Sequence, residues 1–162
     1  MKKIIYFAVA AMMFSSCNDF LDSESYTQKN TGNYPLTAED AEQVITGIYN
    51  NLNIVNANPQ YSFFYYSELA SDDRLGGGGF HDQLMQAEDL MLNTGSTMYT
   101  QFYQDRYKGV FRANMAIETL GNCKGVTEEA LNQYKGEAYF LRAYYYYELA
   151  SMFGNIPCPV SS

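Results

Sequence analysis

The sequence predicts an all-α domain of antiparallel helical hairpins. Three observations point there. Apolar residues recur at intervals of three and four over long windows, cap-forming residues open those windows, and no stretch alternates with period two. With 162 residues the chain can bury a sizeable core, and 47% hydrophobic and 16% aromatic content excludes a disordered tail.

Each element follows from its own signals. Thr37 can cap a helix, with Glu39 and Asp40 in the first turn favouring its positive N-terminal end. Ala41, Val44, Ile45, Ile48, Tyr49, Leu52 and Val55 continue it at helical spacing, and "NANP" ends it. A shorter helix is expected over residues 61–70. One or two helical turns are expected within residues 82–92. Ser96 or Thr97 should open a long helix reaching about Leu120, which "GNCKG" breaks. Thr127 caps the last helix, followed by Glu128 and Glu129. That helix should bury Leu131, Tyr134, Ala138, Leu141, Tyr145 and Leu149 and stop at Gly154. Pro157 and Pro159 prevent its resumption.

The N-terminus reads differently. Lys2 and Lys3 precede the eleven-residue apolar run "IIYFAVAAMMF", too short to span a bilayer and suited to a signal-peptide core. Ser15 and Ser16 then lead into Cys17. A plain secretory signal needs no cysteine at its boundary, whereas a thiol there can carry a diacylglycerol thioether. The order resembles a bacterial lipobox, with Phe14 where leucine is more usual. The expected divisions are a lipoprotein signal peptide at 1–16, a polar, turn-rich tether at 17–36 with Cys17 lipidated, and the helical domain at 37–162. Cys123 and Cys158 remain, and two separate buried thiols are expected rather than a disulfide.

The formal net charge of −8 disfavours nucleic acid and anionic membrane surfaces as direct partners. Catalysis has little support. Asp72 and Asp73 are adjacent carboxylates with Glu68 nearby, but adjacent loop side chains do not establish the separation a glycosidase pair needs. His81, the single histidine, has no neighbouring nucleophile motif. Asp72, Asp73 and Asp82 suit calcium by ligand type but lack a recognised spacing. "GGGG" is no phosphate loop, because no Lys-Ser/Thr follows it. No metal, cofactor or enzymatic activity is expected.

The stretch between the second helix and the long one is the candidate ligand region. It is long and glycine-rich for a connector in a helical domain. Within residues 71–99 it combines hydrogen-bonding groups at Asp72, Asp73 and Arg74 with ring faces at Phe80, His81 and Tyr99. A carbohydrate site needs both kinds of group. The run "YYYY" at 144–147 also carries rings, but four consecutive helical residues point nearly all the way round, so packing is the expected role. Arg142 is expected to pair with Glu137 or Glu148.

Three segments carry a resemblance. "CNDFLD" at 17–22 resembles the mature start of SusD/RagB-family lipoproteins of the Bacteroidetes outer membrane. "YKGVFRANMAIETL" resembles that family's Tyr-x-x-Ile-x-x-Asn segment through Tyr107, Val110 and Asn114, with Tyr103 where tryptophan is usual. "GEAYFLRAYYYYELASMFGNIP" is similar to its Glu-Ala-x-Phe-Leu-Arg-Ala stretch and the following Phe-Gly-x-x-Pro. Glu137, Phe140, Leu141, Arg142, Ala143, Leu149, Phe153, Gly154 and Pro157 all match.

The resemblance covers the chain but only about the first third of a family member, so an incomplete, N-terminal SusD-like region is expected. It implies a helical core of tetratricopeptide-like pairs, in a non-catalytic, lipid-anchored protein on the outer face of the outer membrane. Such a protein captures glycans, or in some members peptides, and passes them to a SusC-like, TonB-dependent transporter. The alternative is a helical scaffold lipoprotein that binds only proteins.

Overall fold

A computed structural model describes residues 34–57, 62–71, 73–80, 82–91 and 95–162, with the side chains of 54–57 excepted. The expected signal peptide, Cys17 and the expected tether up to residue 33 lie outside the described residues. Tyr34–Ser162 form one unit. It contains five α-helices and no strand among the described residues: α1 (Ala38–Ala57), α2 (Phe63–Leu69), α3 (Gln83–Glu88), α4 (Thr97–Thr119) and α5 (Glu128–Phe153). A 3-10 turn, Leu120–Asn122, follows α4.

Caps set the helix starts. Thr37 and Asp40 bond reciprocally at α1: the Asp40 amide donates to Thr37 Oγ1 at 3.1 Å, and the Thr37 amide donates to Asp40 Oδ2 at 3.2 Å. This satisfies donors that a helix start otherwise leaves unpaired. Ser62, Asp82 and Thr127 accept from the first turns of α2, α3 and α5. Gly154 ends α5 with φ of 72°, in the left-handed region that glycine enters without a Cβ clash.

α1, α4 and α5 share the main core. Ala41, Ile45 and Ile48 pack with Val110, Ala113, Ala116, Leu120, Leu141, Tyr145 and Leu149. Pairings along α4 and α5 run in opposite directions: Phe102 meets Phe153 at 6.1 Å between ring centroids, and Arg142 bonds Asn114 at 2.8 Å. The two therefore form the expected antiparallel hairpin. α1 is antiparallel to α4, since Asn51 donates to the Asp105 carbonyl at 2.8 Å while Arg112 reaches back to the Gly47 carbonyl at 3.1 Å. The Tyr145 hydroxyl closes the layer by donating to the Ile48 carbonyl at 2.7 Å. Gly109 permits this packing, because a Cβ there would stand 2.5 Å from the Tyr145 ring.

Tyr66, Leu69, Ala87, Met98, Tyr99 and Phe102 form a second, smaller cluster that holds α2 and α3 against the start of α4.

Several side chains depart from expectation. Leu131 and Tyr134 are only partly buried. Of the four consecutive tyrosines, Tyr145 is fully buried, Tyr146 is half-buried, and Tyr144 and Tyr147 are exposed. The helical repeat turns successive residues by about 100°, so one core face cannot take all four. Glu148 does not pair with Arg142. It pairs with Arg106, and the two are 2% and 3% exposed. Arg142 instead donates to the side chain of Asn114 and to the Val160 carbonyl. Cys123 and Cys158 are unpaired as expected, but only Cys123 is buried; Cys158 is exposed.

Candidate functional site

The glycine-rich loop is built onto α3. Asp82 Oδ1 accepts from the Leu84 amide at 2.8 Å and fixes the start of that short helix. Gly76 lies so close to α3 that a Cβ would meet the Leu84 carbonyl oxygen at 2.5 Å, and its amide donates to Glu88 Oε2 at 2.5 Å. Gly77 and Gly78 both have positive φ, at 68° and 83°. Two of the four glycines thus serve a backbone conformation, and a third serves close approach.

The loop distributes the expected ligand residues unequally. Asp72 and His81 lie outside the described residues. Asp73 is exposed, and its amide donates to Ser71 Oγ at 3.3 Å. Arg74 is exposed, with its guanidinium 4.9 Å from the centroid of the Tyr65 ring. Phe80 is exposed. Tyr99 is 7% exposed and stacks on Tyr66 at 5.3 Å, so its ring belongs to the second cluster and is not a free face. Burial pushes its phenol above the ordinary tyrosine range.

Beside α2 opens a cleft of about 420 Å³. Phe63, Phe64, Tyr144 and the hydroxyls of Ser62 and Ser67 line it, with Arg106 and Glu148 among its walls. Phe63 meets Tyr147 edge-on at 6.0 Å. Arg106 is held over the Phe102 ring at 4.9 Å while pairing with Glu148. Burial, followed by the hydrogen bond to Glu148, pushes the Tyr144 phenol up to about 12. The cleft therefore offers neutral hydroxyls and ring faces beside a self-compensated ion pair, chemistry suited to an uncharged hydroxylated ligand.

The sequence did not point to this cleft. The available signal was Arg106, a charge on the stripe of Phe102, Val110 and Ala113. Its partner Glu148 stands likewise beside Leu141, Tyr145 and Leu149. Two opposite charges on two core faces suggest a pair, but periodicity cannot say which helices meet. Among the described residues no group of three His, Cys, Asp or Glu side chains converges to hold a metal ion. No described helix is long and apolar enough to cross a membrane.

Comparison with known proteins gives one decisive match. A SusD-like family, described as starch-binding and associating with the outer membrane, matches residues 19–162. The chain belongs to the SusD-like family. The SusD-like protein P38 of Formosa agariphila is 28% identical over 90% of this chain and 27% of its own length. SusD-like protein P25 of the same organism is 18% identical over 96% of this chain and 31% of its own. The chain thus spans about a quarter to a third of these relatives. No solved structure matches it. Within this SusD-like chain, the loop and the cleft both lie inside the span matched by the family.

Proposed function

We propose that this chain is part of a surface nutrient-binding lipoprotein, anchored through Cys17, that captures glycan for a SusC-like, TonB-dependent transporter without acting on it chemically. The carrying observation is the family match over residues 19–162, with its description as starch-binding and outer-membrane-associated. The lipobox order supports anchoring through Cys17. The combination of rings and fixed polar groups supports a hydroxylated ligand. The contacts are assigned to residues 71–99, through Asp72, Asp73, Arg74, Phe80 and His81 rather than the buried Tyr99.

Two experiments test this reading. Glycan affinity is measured for wild type, for Asp73→Ala with Arg74→Ala, and for a chain with residues 75–82 replaced by a neutral linker. Affinity should fall several-fold in both variants while helicity is retained. Wild-type affinity in both would move the site out of the loop, and release of reducing ends would mark a glycosidase. Separately, Cys17→Ala should leave the membrane fraction or accumulate as precursor. Unchanged fractionation without lipid mass on the N-terminal peptide would remove the anchor.

A further inference from the structure

Two opposite sides of α2 carry rings. Tyr65 has the Arg74 guanidinium over its face on the loop side. Phe63, Phe64 and Ser67 stand on the other side, because successive helical residues turn by about 100°. They border the cleft of about 420 Å³, a volume ordinary for a small-molecule site. The cleft is therefore separate from the loop to which glycan contacts are assigned above.

The unpaired groups of the cleft define what would fill it. Arg106 is 3% exposed, forms part of the cleft wall and gives its Nε to Glu148. Its Nη1 has no hydrogen-bond partner among the described residues. A buried charged donor without an acceptor is costly, and a ligand oxygen would recover that cost. Two other groups ask for the reverse. Ser67 Oγ donates to the Phe64 carbonyl at 2.9 Å, and the Tyr144 hydroxyl is bonded to Glu148. Each of these oxygens keeps lone pairs with which to accept. The occupant has to accept and to donate within one cleft. A carboxylate only accepts and an ammonium only donates. Either would also arrive without a counter-charge, because Arg106 and Glu148 already neutralise each other. An apolar ligand would leave Nη1 unpaired. A hydroxyl accepts, donates and carries no charge. The exposed rings of Phe64 and Tyr144 supply apolar faces for the CH side of a sugar ring.

We propose that the α2–α5 cleft is a second glycan subsite that takes one uncharged sugar unit. A sugar oxygen accepts from Arg106 Nη1, sugar hydroxyls donate to Ser67 and Tyr144, and a ring face lies on Phe64. This rests on the glycan-binding reading above. It adds a site across α2 from the loop that discriminates against charged sugars.

The test follows backbone amide shifts by nuclear magnetic resonance, using the full chain with Cys17→Ala to remove the expected lipid. Maltotriose and cellotriose are the neutral probes. Trigalacturonate and an end-blocked trialanine are the charged and peptide probes. A neutral trisaccharide should move the amides of residues 62–67 and 144, and trigalacturonate should bind there at least about tenfold more weakly. Phe64→Ala, at a side chain 67% exposed, and Tyr144→Phe should each raise the midpoint at those amides about three- to tenfold. Helicity should be retained in both. Asp73→Ala with Arg74→Ala should leave the cleft midpoint unchanged. Sugar-induced shifts confined to residues 73–80 would overturn the cleft and leave the glycan-binding reading standing. No shift in either region with either neutral sugar would overturn the cleft and count against that reading too. An equal response to trigalacturonate, or a response to trialanine alone, would overturn the assignment of a neutral sugar.

Discussion

The α1–α4–α5 layer and the α2–α3 lobe reach order by different routes. The layer is made of helices of 20, 23 and 26 residues whose apolar stripes face one another. The lobe is made of helices of seven and six residues, shorter than a helix that is stable alone in water. It takes its core from its neighbours: Phe102 comes from α4, and Phe153 from the end of α5 packs against both clusters. A long helix carries its own burial instructions, whereas a short one depends on its cap and on borrowed rings. The loop proposed above to meet a ligand joins the two short helices of this lobe, where local opening is least costly.

Breaking the buried ion pair should show the layer's cooperativity with the largest effect. Arg106→Met leaves Glu148 buried without its cation and should cost about 3–5 kcal/mol. Chemical denaturation should show both clusters melting together, because Arg106 also covers Phe102. Adding Glu148→Leu should recover most of the loss, and no recovery would mean that the pair sets the packing geometry. Gly109→Ala probes the same layer through shape alone. The added methyl meets the Tyr145 ring and should cost about 1–3 kcal/mol in the melting transition.

The lobe should respond locally instead. Asp82→Ala removes the α3 cap, worth about 1 kcal/mol. Hydrogen exchange should rise within residues 73–91 while protection in α4 and α5 holds. A matching loss of protection in α5 would erase the distinction between the two regions.

The smallest effect lies at the edge of the layer. The Ser162 hydroxyl and amide donate to Glu118 and hold its carboxyl below the usual range. A depressed carboxyl contributes stability above its unfolded pKa and loses it as pH falls through the folded value. The contact of Ser162 with Glu118 should therefore hold at neutral pH and loosen only as pH falls from the ordinary glutamate value through the lower folded one. The spectrum of a nitroxide label at Cys158 reads this directly, and Glu118→Gln should remove the pH dependence.

Much of the fold was legible in order along the chain. Thr37, Ser96 and Thr127, read as helix openers, stand at helix starts, and Gly154 ends the last helix. Capping and periodicity are local, so they survive translation from sequence to structure. The candidate site was legible only as a region. The polar and aromatic composition of residues 71–99 marked it, but composition could not distinguish exposed Phe80 from Tyr99, whose ring the second cluster buries.

What the sequence by itself determined was the helical class, the extent of the long helices and the family, because each rests on residues read within one segment. Tertiary structure alone decided pairings across segments. It gave Glu148 to Arg106 rather than to Arg142, and it set only Tyr145 of the four tyrosines into the core. It also brought Tyr107, Asn114, Arg142 and Tyr146 onto the carbonyls of Pro157, Pro159 and Val160. The physical reason is that a side chain's spacing fixes the face of its own helix, while its partner depends on how neighbouring helices are aligned and offset, which no single helix encodes.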